Sequence, residues 1–182
     1  ESDYQLMVES GCNELDVGIE SFTQDVRYHM GKKFTDADMW WCFEMLQKYK
    51  IRHTLLMITG YPTETAANHQ ETLDTIRKLY KNGYAKTKND KGDTLMYLSF
   101  GNIMMLSDAQ PIYQLIKDDL TEFSNTDSFK WTYKDNTLQV RIARFNEIHE
   151  LIKELNNDPN LSWLINRELS KYDKLKETPN NE

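Results

Sequence analysis

The 182-residue sequence predicts an α/β fold with a parallel sheet, and three observations support this. Residues 14–22 alternate apolar and polar side chains, which is typical of a strand. Residues 51–60 form a continuous apolar run that favours a parallel strand covered on both faces, and residues 94–106 are a third candidate for a buried strand. Helical patterns of about 12 to 17 residues separate these stretches, as crossover connections require.

The predicted helices carry recognisable start and stop signals. Thr35 is suited to cap the helix between the first two strands, because Asp38 three residues later completes a capping pattern. The helix after Thr65 has a natural stop at Gly83. Pro111 fits the first turn of a short helix after the third strand.

The last third of the sequence has a different character. Residues 123–137 are predicted as a loop, residues 138–155 as the clearest amphipathic helix, and residues 161–176 as a final helix. We therefore predict a domain over residues 1–119 and a helical C-terminal extension over residues 120–182.

Composition narrows the classes of function. The formal net charge of -7 argues against general nucleic-acid binding and against anionic membrane surfaces. No stretch is long and apolar enough for a membrane helix, and two cysteines form neither a disulfide framework nor a metal-ligand pair. A cytoplasmic protein is expected. Because the chain begins with Glu1, we also expect it to be the interior of a longer protein.

Glycine and polar residues stand where the predicted strands end, which is where parallel sheets gather their sites. The first strand ends in GIES, residues 18–21, where Glu20 offers a carboxylate to an ammonium group and Ser21 offers a hydroxyl. The second ends in GYPTET, residues 60–65, where Gly60 permits close approach of the backbone. Lys32, in the loop between the first strand and its helix, is a candidate partner for a carboxylate.

Each of these signals has an ordinary structural interpretation as well. Strands commonly end in solvated polar residues, and lysines in loops commonly lie on the surface. GYPTET also makes a good strand-to-helix turn, with Thr63 or Thr65 as the cap and Glu64 near the positive end of the helix.

The combined spacing resembles the carboxyl-terminal half of the core of radical SAM enzymes. The resemblance covers roughly residues 4–116 and rests on GC-x-x-L-x-x-GIES, HMGKKFT, the strand that closes in GYPTET, and S-x-x-x-PIY. It implies a partial (β/α) TIM-like barrel with parallel strands over residues 1–119. The later stretch around Trp131 is similar to the helical tail of members with an upstream cobalamin-binding domain, and the sequence leaves open whether cobalamin is a cofactor.

The resemblance implies a site for S-adenosylmethionine (SAM) beside a [4Fe-4S] cluster, and an enzyme that generates a 5′-deoxyadenosyl radical. At the matching positions Glu20 contacts the methionine end of SAM, Ser21 lies near the ribose, and Lys32 approaches the SAM carboxylate. The strand end that holds the adenine matches Ile58, Thr59 and Gly60. We expect these positions to open onto one hollow at the strand ends.

The sequence departs from the family pattern in two places. Leu56 stands where some members have a ribose-binding aspartate. The cluster-binding CxxxCxxC motif is absent, and Cys12 and Cys42 cannot replace its three thiolates. No catalytic residue or metal ligand is therefore assigned, and we expect the cluster ligands upstream of Glu1, in a missing amino-terminal half of the barrel. The fragment alone is expected to be inactive.

An alternative stays open at this stage: a non-catalytic α/β module that binds a nucleotide-like ligand or a partner protein. Within the first interpretation, the substrate is open, and so is the choice between methylation, rearrangement and thioether chemistry. The residues that select the substrate lie on variable loops, so the sequence does not indicate which substrate they bind.

Overall fold

The computed structural model describes residues 1–156, so the helix predicted at 161–176 lies outside the described residues. The chain divides into two compact units. Among the described residues, the first comprises Glu1–Met57 and Gln70–Ser99, and the second comprises Ile58–His69 and residues 100–156. The domain boundary predicted after residue 119 stays a prediction.

Helices and strands alternate along the first part of the chain, as predicted. The elements are α1 (Ser2–Glu9), β1 (Glu14–Glu20), α2 (Gln24–His29), α3 (Asp36–Lys48), β2 (Arg52–Met57), α4 (Ala66–Lys81), β3 (Met96–Ser99), α5 (Pro111–Ile116), β4 (Leu120–Phe123), β5 (Trp131–Tyr133) and α6 (Leu138–Asn156), with single 3₁₀ turns at Tyr84–Lys86 and Lys117–Asp119.

The first unit is built on a parallel sheet with strand order β1-β2-β3. Sequential parallel strands joined by helices confirm the α/β prediction and agree with a partial (β/α) TIM-like barrel. The pairing is regular from Glu14 opposite Arg52 to Gly18 opposite Leu56. It then shifts by one residue, so that Glu20 rather than Ile19 stands opposite Met57.

The sheet buries one face more completely than the other. His53, Leu55 and Met57 of β2 are buried, whereas Leu56 is 39% exposed and Tyr97 of β3 is 43% exposed. The prediction that the apolar run around β2 is covered on both faces was therefore wrong. A continuous apolar run cannot reveal which face of a strand is covered, because side chains alternate between the faces.

The helix predicted from Thr35 begins as expected. The Thr35 hydroxyl accepts a hydrogen bond from the backbone N–H of Asp38, and the Asp38 carboxylate accepts one from the backbone N–H of Thr35. The sequence interpretation missed α2, a six-residue helix between β1 and α3. Its sequence, QDVRYH, is too short and too polar to show a helical apolar period.

The second unit contains a two-stranded antiparallel sheet, β4-β5, so residues 131–133, which were predicted as part of a loop, form a strand within the extension. Strands of four and three residues are too short to show alternation. The indole of Trp131 anchors β5, since the side chain is fully buried and its Nε1 donates to the Met104 carbonyl at 3.2 Å. The predicted stripe of α6 packs Ile142 and Phe145 against Ile103.

Within residues 1–156, every helix is too short or too polar to traverse a lipid bilayer.

Candidate cofactor-binding site

A pair of opposite charges lies at the carboxyl end of β1. The Lys32 ammonium donates to the Gly18 carbonyl oxygen at 2.8 Å, and its Nζ lies 3.3 Å from Oε1 of Glu20. Their side chains remain 34% and 24% exposed, so both groups are accessible from solvent. Glu20 and Lys32, which the sequence analysis selected separately, are therefore brought together.

Gly18 provides the space for this pair. A Cβ atom on Gly18 would lie 2.8 Å from Oε1 of Glu20 and 3.2 Å from Nζ of Lys32. The first of these separations is shorter than real Cβ contacts. The glycine of GIES thus lets two charged groups lie directly over the strand backbone.

Glu20 adopts a backbone conformation that is unfavourable for its residue type. Its φ of 66° lies in the left-handed region, which carries a strain of roughly 1–2 kcal/mol for a residue with a Cβ. The strain coincides with the register shift between Gly18 and Glu20. A bulge of this kind redirects a side chain at the end of a strand. Here it directs the Glu20 carboxylate toward Lys32.

Arg27 fixes the segment that carries Lys32, and the sequence analysis missed it. Its guanidinium is fully buried, donates to the Ser21 carbonyl at 3.0 Å and forms an ion pair with Asp36 at the start of α3. Its own carbonyl accepts the Lys32 backbone N–H at 2.9 Å. Arginines are rarely buried without a partner, and the partner here, Asp36, lies nine residues along the chain in the first turn of α3. That spacing is not a recognisable sequence signal.

Ser21 is buried and serves the start of α2. Its Oγ lies 3.0 Å from Oγ1 of Thr23 and accepts the Thr23 backbone N–H at 3.2 Å. These contacts occupy the hydroxyl that the sequence analysis placed near a ribose. The structure therefore gives Ser21 a local structural role beside Glu20.

The segment Ile58, Thr59 and Gly60 belongs to the second unit. Thr59 is buried; its carbonyl accepts the Met104 backbone N–H at 2.8 Å, while its Oγ1 has no hydrogen-bond partner in the described chain. Gly60 has a φ of 77°, in the left-handed region that favours glycine, and its N–H donates to Oε2 of Glu64 at 3.1 Å. The Gly60 N–H is thus already used within the protein.

The helix after this turn is capped by Thr65, one of the two candidates. Its Oγ1 accepts the Asn68 backbone N–H at 3.2 Å. Glu64 does not serve the helix end as predicted, because its carboxylate faces Gly60 and Arg144 in a buried position. Burial raises the pKa of Glu64, while Arg144 and the Gly60 N–H oppose this shift.

Across residues 1–156, no group of three or more His, Cys, Asp and Glu side chains is arranged to hold a metal ion. Cys12 and Cys42 are free thiols. Cys42 lies 3.5 Å from the Tyr4 hydroxyl, which donates to its sulfur, and this contact ties α1 to α3.

Comparison with known proteins gives one assignment. Residues 1–76 match the family model described as the radical SAM superfamily. The matched stretch includes Glu20, Lys32 and the whole GYPTET turn. A search of curated proteins finds no match to this chain. Together with the parallel sheet, this match supports membership of residues 1–76 in the radical SAM superfamily.

Proposed function

We propose that this chain is the SAM-binding portion of a radical SAM enzyme, and that Glu20 and Lys32 hold the amino-acid end of SAM. The observation that carries the proposal is the Glu20–Lys32 pair over Gly18, with Glu20 held in a strained conformation. Strained residues cluster at functional sites, where the surrounding structure maintains a geometry that the local sequence disfavours.

The chemistry of the pair fits the ligand. The methionine end of SAM carries an ammonium and a carboxylate on neighbouring atoms, so a carboxylate and an ammonium side by side on the protein complement it. In the free protein the two side chains neutralise each other. Because both are partly exposed, they exchange a weak mutual contact for contacts with the ligand.

The nucleoside of SAM is assigned, as a proposal, to the backbone and apolar wall of Ile58, Thr59 and Gly60. Ser21 keeps its proposed place near the ribose, although its hydroxyl is occupied by Thr23. Leu56 supplies no polar group to a ribose, which leaves the hydroxyls of the sugar to other parts of the protein.

The residues described do not fit a [4Fe-4S] cluster. Three cysteine thiolates are needed to leave one iron open for SAM, and the sequence contains only two cysteines. We propose that the cluster ligands come from outside this sequence and that the chain alone is inactive. A cluster held by those ligands would supply the electron for cleavage of SAM, and the part proposed for this chain is to bind and orient SAM.

The family match does not favour the alternative of a non-catalytic binding module. We further propose three properties of the complete protein. They are cobalamin as a further cofactor, an amino-terminal half of the barrel as the partner of this chain, and a cytoplasmic location. The absence of general nucleic-acid and membrane partners is proposed from the net charge of -7.

Binding of S-adenosylhomocysteine, measured by calorimetry on the whole chain, tests the proposal. Lys32→Met should weaken binding about tenfold or more, because a charge-assisted hydrogen bond to the ligand carboxylate is lost. Lys33→Met is the matched control, since Lys33 is the exposed neighbour. Neither variant should change the affinity for 5′-methylthioadenosine, which lacks the amino-acid end.

Two results would overturn the proposal. One is the absence of binding of either nucleoside to the unaltered chain. The other is that Lys32→Met weakens the binding of S-adenosylhomocysteine and of 5′-methylthioadenosine equally, which would show that Lys32 does not contact the amino-acid end.

A further inference from the structure

The turn after β2 is held by residues that lie outside the family-matched segment. The side-chain amide of Asn136 faces three successive carbonyl groups of this turn. Its Nδ2 lies 2.9 Å from the oxygen of Tyr61, 3.3 Å from that of Gly60 and 3.4 Å from that of Pro62. Asn136 is 1% exposed, so water does not compete for these carbonyls.

A buried ion pair holds the other side of the turn. Nη1 of Arg144 donates to the backbone carbonyl of Glu64 at 2.9 Å and to its Oε1 at 3.0 Å. The second carboxylate oxygen accepts the Gly60 N–H. Arg144 in α6 thus reaches Gly60 through Glu64, and both charged side chains are more than nine-tenths buried.

Arg141 shapes the space around Gly60. A Cβ atom on Gly60 would lie 2.4 Å from Cγ and 2.7 Å from Cδ of Arg141. The Arg141 guanidinium donates to the carbonyls of Asn136, Phe129 and Trp131 and lies 3.5 Å from the centre of the Trp131 ring. The position of this side chain is therefore fixed by β5 and the residues around it.

We propose that Asn136, Arg141 and Arg144 are positioning residues that hold the GYPTET turn in its ligand-binding conformation. Three carbonyls directed at one point repel one another unless a donor lies between them, and buried carbonyls require such a partner. Asn136 is that donor. The segment from β5 to α6 thereby determines the shape of a turn that the matched segment, residues 1–76, does not fix by itself. This inference rests on the proposed binding of the SAM nucleoside at Ile58, Thr59 and Gly60.

Two substitutions of Asn136 separate positioning from packing. Asn136→Asp keeps the shape of the side chain but replaces the donor with a second acceptor, whereas Asn136→Ala removes the donor and leaves a small cavity. If Asn136 acts by positioning the turn, the Asp variant should show the larger loss of hydrogen bonding and ligand affinity. If Asn136 acts only by packing, the Ala variant should show the larger loss. Ile148→Val, in the buried face of α6, is the control for general destabilisation of the unit.

The readouts are amide hydrogen exchange at Gly60 and Glu64 and calorimetric affinity for S-adenosylhomocysteine, both on the whole chain under conditions where circular dichroism shows a folded protein. In Asn136→Asp we expect exchange at these amides about tenfold faster and affinity about tenfold weaker, from loss of hydrogen bonding in the turn. Asn136→Ala should give smaller changes, and Ile148→Val should give neither.

Each contrary result has its own meaning. Unchanged exchange at Gly60 in the Asp variant overturns the inference, and so does faster exchange with unchanged affinity. An Ala variant that is more impaired than the Asp variant also overturns it. If the unaltered chain binds no S-adenosylhomocysteine, the proposed function fails and the inference fails with it, whatever the exchange data show.

Discussion

The Lys32 ammonium and the Glu20 carboxylate meet over the backbone of Gly18, 3.3 Å apart, at the end of the first parallel strand. They are twelve residues apart in sequence and come from different kinds of local structure, a strand end and a loop. The register shift in β1 and the buried Arg27 behind the loop together bring them into contact. This geometry leads to the first two predictions.

Glu20→Gly should make the protein more stable and a weaker binder. Glycine adopts a φ of 66° without the Cβ penalty, so we expect the free energy of unfolding to rise by up to about 1 kcal/mol. The loss of the carboxylate should at the same time weaken binding of S-adenosylhomocysteine about tenfold. Urea unfolding and calorimetry measure the two effects. A less stable variant with unchanged affinity would contradict the functional interpretation of the strain.

Arg27→Met should destabilise the first unit by about 1–3 kcal/mol, because the Ser21 carbonyl loses its buried donor. Asp36 is half-exposed and keeps its hydration, so an unpaired buried charge does not add to the loss. Arg77→Met is the matched control. Arg77 forms an exposed ion pair with Asp74, and its removal should change stability by at most about 0.5 kcal/mol. Equal effects of the two substitutions in urea unfolding would contradict this prediction.

Gly60→Ala should destabilise the protein by at least about 2 kcal/mol, the sum of left-handed backbone strain and a clash with the Arg141 side chain. Gly83→Ala separates the two contributions, since Gly83 has a φ of 85° and nothing within 4 Å of its added Cβ. Only the strain of about 1 kcal/mol should remain there. Thermal and urea unfolding of both variants check the difference, and equal destabilisation would remove the role assigned to Arg141.

The stability of the protein should fall as the pH drops below 6.5, in part because of His53. Burial lowers the pKa of His53 from 6.5, although a hydrogen bond between its Nδ1 and the Ile51 carbonyl opposes this shift. Below pH 6.5 His53 therefore binds a proton more readily in the unfolded state than in the folded state. This contribution is fully present above pH 6.5 and is lost as the pH falls toward the lower pKa of the folded state, with a slope of at most about 1.4 kcal/mol per pH unit.

His53→Gln tests this contribution. The variant should show a shallower decline of the unfolding free energy below pH 6.5 than the unaltered chain, after correction for its different stability at pH 8. Parallel curves for the two proteins would assign the acid sensitivity to other groups, such as His69, whose pKa is also lowered by burial.

Reconstitution of the chain with iron and sulfide should give no visible absorption of a [4Fe-4S] cluster. The reason is the number of ligands: the sequence has two cysteines, and a SAM-binding cluster needs three thiolates. A variant with both Cys12→Ser and Cys42→Ser is the control and should give the same spectrum. A cluster signal that disappears in this variant would show that the two cysteines take part in binding iron.

The sequence by itself determined the alternation of strands and helices, because apolar periodicity and capping residues such as Thr35 and Pro111 act locally. It did not reveal β4 and β5, since strands of three and four residues show no period and depend on contacts such as that between Trp131 and Met104. The covered face of β2 was not evident for a related reason, since Leu55, Leu56 and Met57 place apolar side chains on both faces of the strand.

The motifs likewise selected Glu20, Lys32 and Gly60 as candidates, but not the residues that hold them in place. Arg27, Asn136 and Arg141 are buried polar side chains that donate to backbone carbonyls five to 76 positions away. From the sequence they would be placed on the surface, because a polar side chain is stable in the interior only when its hydrogen-bonding groups have partners there. Only the tertiary structure supplies those partners. Sequence alone therefore indicates the chemistry of the site, whereas the fold determines how its groups are held.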